Sequence, residues 1–97
     1  MQVTFHRLAA KEYRSAIQWY AQRGEGLDQR LRLAVEHAVS RIQSQSDLLP
    51  RFGPVYRWVK VPRFPYILVF RLLSPEEFKV MAVAHTRRRP RYWRGRR

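Results

Sequence analysis

The last eleven residues of the chain, Arg87 to Arg97, hold seven arginines with Tyr92 and Trp93 among them, and His85 stands two residues ahead of the run. These residue types open four chemistries. Guanidinium groups grip phosphates bidentately, so Arg87, Arg88, Arg89, Arg91 and Arg94 could hold nucleic acid. Alternatively His85, which ends a predicted strand just before the basic run, could serve as a general acid or base, which would make a catalytic edge. Tyrosine and tryptophan are favoured at binding hot spots, so Tyr92 and Trp93 could anchor a protein interface beside the arginines. The plainest alternative is a solubilising tail, which has little use for two aromatic residues. For His85 the plain alternative is a partly exposed histidine bonded to backbone.

A second basic group, Arg57, Lys60, Arg63 and Arg71, falls on adjacent predicted strands and could converge on phosphates; the competing reading is a solvated sheet face. Tyr56 and Trp58 alternate with Lys60 on one strand and could stack a base, although aromatics at this period more often fill a core or a partner interface. His6, His37 and His85 are far apart, with no pair at the i, i+4 spacing of a metal site. The chain has no cysteine, which excludes disulfides and thiolate ligands. Of its seven acids, five lie in the first half and two in one turn. No paired carboxylates or nucleophile elbow can be assembled, so conventional hydrolase machinery is absent, and neither metal nor cofactor is called for.

These groups need elements to position them. Gln2 to Phe5 reads as a short strand. Ala9, Tyr13, Ala16, Ile17, Tyr20 and Ala21 then draw an apolar stripe on a helix from about Leu8 to Gln22. Gly24 and Gly26 break it, and Leu27, Leu31, Ala34, Val35, Ala38, Val39 and Ile42 repeat the pattern to about Gln45, with Asp28 near the positive helix start. The short link makes the pair an antiparallel hairpin. Past Pro50, Gly53 and Pro54, a strand is predicted over Val55–Val61. The run Pro65–Phe70 is apolar on both faces, as a central strand would be. Ser74–Glu77 reads as a hairpin turn. Phe78–His85 closes a meander, with Phe78, Val80, Ala82 and Ala84 expected on one face and Lys79, Met81, Val83 and His85 on the other. The order predicts an α+β fold: an N-terminal strand, a helical hairpin on one face, and a three-stranded antiparallel meander. Beyond Thr86, Pro90 and like-charge repulsion should end strand pairing and leave the segment along the surface.

Ninety-seven residues suit a single domain, 1–97, ending in a basic segment over 86–97, and a chain of this size keeps only a modest stability margin. Residues 1–50 carry seven basic and five acidic side chains and residues 51–97 carry thirteen and two, so nearly all of the net +13 lies in the second half. One strongly positive face follows, suited to phosphates or a polyanionic protein. The start, MQVTFHRL, lacks the plan of a signal peptide, and no apolar run approaches the ~20 residues of a membrane span. A cytoplasmic location without membrane contact is expected.

The segments RFPYILVF (Arg63 to Phe70) and VMAVAHTRRRPRYWRGR (Val80 to Arg96), in that order and spacing, resemble the RelE/ParE superfamily of bacterial toxins from type II toxin–antitoxin systems, the ParE branch above all. The resemblance extends to Ala9, Ala16 and Tyr20, to Gly26-Leu27, and to Arg57. It implies two helices on a small antiparallel sheet, and an antitoxin from the same operon whose extended or helical segment wraps the toxin, within toxin–antitoxin hetero-oligomers of higher order; the charge split of this chain calls for that partner to be small and acidic. ParE-like members poison DNA gyrase, whereas RelE-like members cut messenger RNA on the ribosome. In the latter an arginine commonly follows the tyrosine of the third strand, but Ile67 follows Tyr66 here. A basic residue commonly follows the fourth strand, where Thr86 stands. Tyr92 matches the terminal tyrosine of that branch, and Arg87 or Arg88 could substitute with a shift in register. The resemblance therefore favours gyrase poisoning by protein contact. The ribosome-dependent ribonuclease using His85, Arg88 and Tyr92 is the alternative, and a degenerate member that only binds its antitoxin is a third.

Overall fold

The computed structural model describes every residue from Met1 to Arg97. Its elements are β1 (Gln2–Phe5), α1 (Arg7–Ala21), α2 (Leu27–Gln45), a 3-10 turn (Ser46–Leu48), β2 (Arg51–Phe52), β3 (Tyr56–Lys60), β4 (Tyr66–Ser74) and β5 (Glu77–His85). His6 starts α1, its Nδ1 accepting from the Leu8 backbone N–H at 3.0 Å. Gly26 turns the chain into α2 at φ 78°, a left-handed conformation that costs glycine least. No helix is long and apolar enough to cross a membrane.

The five strands form one sheet in the order β1-β5-β4-β3-β2, with β1 parallel to β5 and every other pair antiparallel. The doubly apolar run of β4 thus lies at the centre, as its composition demands. The helical hairpin covers one face, where Ala9, Ala16, Leu31, Val35, Ala38 and Ile42 pack onto Val59, Leu68, Phe70 and Val80. The short β2 pairs only Arg51 with Arg57 and Phe52 with Tyr56, and two residues between a proline and a glycine leave little period to read.

One expectation is corrected, and one competing reading falls. Strict alternation along β5 fails, because Val69 pairs with Ala82 while Phe70 pairs with Val80, leaving Met81 as an extra residue. A bulge of this kind swaps the faces of everything beyond it. Phe78, Val80 and Val83 therefore share the helical core, whereas Ala82 and Ala84 turn to the opposite face. That opposite face is also covered rather than solvated. Val69, Ala82, Ala84 and Trp93 form a second apolar cluster, flanked by Phe52, Tyr56, Trp58 and Ile67. Small alanines on β5 make the hollow that the Trp93 indole fills.

Candidate functional site

Strand pairing does end at the expected place. The Thr86 N–H still bonds to Pro65 O at 2.9 Å, after which the chain proceeds by tight turns: Arg88 N–H to His85 O, Arg94 N–H to Arg91 O and Arg96 N–H to Trp93 O. Arg91 at φ 64° and Gly95 at φ 88° supply the left-handed steps that bend the segment back onto the domain. The aromatic pair reaches the domain's own surface instead of solvent. Trp93 is 3% exposed, edge-on to Tyr56 at 4.6 Å between centroids and 5.9 Å from Phe52, so its indole offers no face to a target.

The other end of the clamp is Glu12 on α1. Its carboxylate accepts the Tyr92 hydroxyl at 2.7 Å, both terminal nitrogens of Arg96 at 2.9 Å each, and the Val83 N–H at 3.0 Å. Arg96 also donates to Met81 O at 3.0 Å, the bulge residue. Burial pushes the Glu12 carboxyl upward, but the hydrogen bonds from Arg96, Tyr92 and Val83 and the Arg96 charge outweigh it and hold it below its ordinary 4.5. Composition does not announce this acid. Its one sequence signal is placement, since Ala9, Glu12 and Ala16 share a helix face at spacings of three and four.

With Trp93 and Arg96 bound inward, Arg87, Arg89, Arg91 and Arg94 remain exposed and make no ion pair, while Arg88 lies over the Tyr92 ring at 3.8 Å and 3.6 Å from Glu12. The clamped segment thus leaves four cations exposed to solvent. Of the ribonuclease trio, Arg88 and Tyr92 are in contact, but the phenol is engaged. Burial first, then the hydrogen bond to Glu12, push Tyr92 far above the usual tyrosine range. His85 lies on the helical side, edge-on to Tyr66 at 5.2 Å, in a shallow cleft with Lys11, Glu12, Ser15, Trp19 and Arg88, and it also lines a pocket with Arg88 and Tyr92. Its Nδ1 accepts the Arg87 N–H at 3.0 Å, which leaves the ring proton on Nε2.

The second basic group disperses. Arg57 faces the helical side and donates to Leu49 O at 2.8 Å and Asp47 O at 3.5 Å, bracing the loop after α2. Lys60 donates to Val61 O and Phe64 O and so ties the β3–β4 turn. Arg63 holds that turn at φ 67°. Arg71 leans toward the Tyr56 ring at 5.9 Å on the face of the second cluster, with its Nε buried and unpaired. Alternation along the β3–β4 hairpin divides them between the two sheet faces and the turn, and although Arg57 and Arg71 both line a pocket near the end of β4, the four do not converge on one site.

The model of the ParE toxin of type II toxin–antitoxin systems, parDE, matches residues 3–90. Among solved structures, a chain of the chromosomal ParDE toxin–antitoxin system from P. aeruginosa superposes with a TM-score of 0.71 at 18% identity, over 88% of this chain and 95% of that one. At that identity the likeness is one of fold. No curated protein sequence matches significantly.

Proposed function

The chain belongs to the ParE toxin family of type II toxin–antitoxin systems, and on that premise we propose that it arrests growth by contact with DNA gyrase, trapping the enzyme on cleaved DNA whose bonds gyrase itself breaks. The observation that carries this reading is the clamped C-terminal segment, which holds Arg87, Arg89, Arg91 and Arg94 exposed and without carboxylate partners on a fixed base. Charges displayed in this way raise association rates and select an acidic surface. The ribonuclease alternative is disfavoured by Tyr92, whose hydroxyl already donates to Glu12 and whose ring lies under Arg88.

The same premise carries an antitoxin. A groove between α2 and the β3–β4 turn is lined by Tyr20, Leu27, Leu33, Ala34 and Phe64, rimmed by Arg30 and Arg63, and leaves Leu33 66% exposed. An acidic segment with apolar anchors is complementary to it in shape and sign, and would fold on binding. Purified gyrase and message-programmed ribosomes, assayed side by side with the pure protein, test the reading. Blocked supercoiling with accumulation of cleaved DNA and intact message is expected; cut message with normal supercoiling would overturn it.

A further inference from the structure

Between the start of α1 and the C-terminal segment lies an open cleft of about 680 Å³, walled by His6 and Arg7 on one side and by Arg88, Arg89, Arg94 and Arg97 on the other. The walls are stitched together: the buried His6 donates from Nε2 to Arg97 O at 3.0 Å while its Nδ1 caps the helix. No Asp or Glu side chain lines the cleft. Glu12, the nearby acid, is occupied by Tyr92 and Arg96, and Arg7, Arg89, Arg94 and Arg97 have no ion-pair partner. The first turn of α1 carries no acid either, although an acid there would offset the positive helix end. Like charges gathered around a concavity oppose folding, and an anion seated among them relieves that repulsion.

The lining chooses among anions. A protein interface needs an apolar centre, and here the apolar contribution is Leu8 and the rim of Tyr92. Unpaired bases need an open aromatic face, but Arg88 covers the Tyr92 ring and Trp93 is buried. A duplex backbone asks for neither, only for forked donors along a rigid line of charge. We propose that this cleft docks phosphates of the duplex DNA backbone, with Arg7, Arg89, Arg94 and Arg97 as the contacts. The site goes beyond the gyrase reading and does not depend on it.

The test uses the full chain, a short labelled DNA duplex of mixed sequence and fluorescence anisotropy across a salt series, without gyrase. Each phosphate contact contributes a slope of about −0.9 in log K against log salt. Replacing Arg7, Arg89 and Arg94 together by Gln is expected to flatten the slope by about 2–3 and weaken low-salt binding more than about tenfold, with the melting temperature held or raised as the repulsion is relieved. Replacing Arg14 and Arg32 on the helices and Arg23 in the turn between them, all exposed, removes the same charge and is expected to flatten it by less than about 1. Equal losses from both triples would mean diffuse attraction and overturn the site. Tighter binding of single-stranded RNA than of duplex, or displacement of the duplex by polyglutamate at matched charge, would overturn it too. A localised slope with no gyrase inhibition would sink only the gyrase reading.

Discussion

The Tyr92 hydroxyl donates to Glu12 Oε2 at 2.7 Å, joining the C-terminal segment to the first helix across 80 positions of sequence. The same carboxylate holds Arg96 bidentately and receives the Val83 N–H of the last strand. One acid therefore sets where the exposed arginines stand.

Removing it has a direct consequence for stability. In Glu12→Ala the Arg96 side chain, 13% exposed, keeps only Met81 O, and the Tyr92 hydroxyl loses its acceptor. A loss of about 2–3 kcal/mol is expected from stranded charged hydrogen bonds. Urea unfolding measures it, and trypsin should cut the variant faster after Arg94 and Arg96. An unchanged midpoint and cutting rate would show that the clamp is ornamental.

Glu12 also sets a pH dependence. Its folded carboxyl lies below the ordinary 4.5, so its contribution is complete above that value and is lost as pH falls through the lower, folded value. The stability gap between the parent protein and Glu12→Gln should be constant near neutrality and shrink below about pH 4.5. A gap that widened on acidification would reverse the assigned sign.

Trp93 acts through packing. Trp93→Ala empties the hollow above Ala82 and Ala84 and should cost about 3–5 kcal/mol, with loss of the near-ultraviolet dichroism of the cluster. Trp93→Phe should recover most of it against Tyr56. Were the alanine variant as stable as the parent and defective only in target binding, the indole would have to be a target contact that leaves its site.

His85 separates a proton donor from a packing group. His85→Gln can still accept the Arg87 N–H and should keep growth inhibition within a few-fold, whereas loss of a general acid or base costs about 10²–10⁴ in rate. Abolished toxicity in a folded variant, together with message cleavage by the parent, would favour the nuclease.

Arg87 and Arg91 are exposed and lie outside the lining of the His6 cleft. Changing both to Gln should slow gyrase association several-fold at low salt, leave dissociation nearly unaltered and flatten the salt dependence. Surface plasmon resonance reads both rates. A change confined to dissociation would place these side chains in a desolvated contact instead.

Local pattern was enough for much of this fold. Apolar residues at spacings of three and four mark both helices, glycines mark their junction, and the doubly apolar Tyr66–Phe70 marks a central strand, because each signal depends on neighbours within one or two turns. The family resemblance likewise lay in contiguous residues, Arg63–Phe70 and Val80–Arg96. Tertiary structure alone decided the rest. The bulge at Met81 depends on how β5 meets β4, so no period along β5 reveals that Ala82 and Ala84 face away from the helices. Those alanines admit Trp93, and Trp93 turns an apparent tail into a second core layer. The meaning of Glu12 depends on Tyr92 and Arg96, residues that meet it only after the chain has closed on itself. Charge counting could likewise predict a positive face but not which arginines compose it. Arg57 and Lys60 satisfy backbone carbonyls, Arg96 satisfies a carboxylate, and the arginines left over are those the fold does not consume.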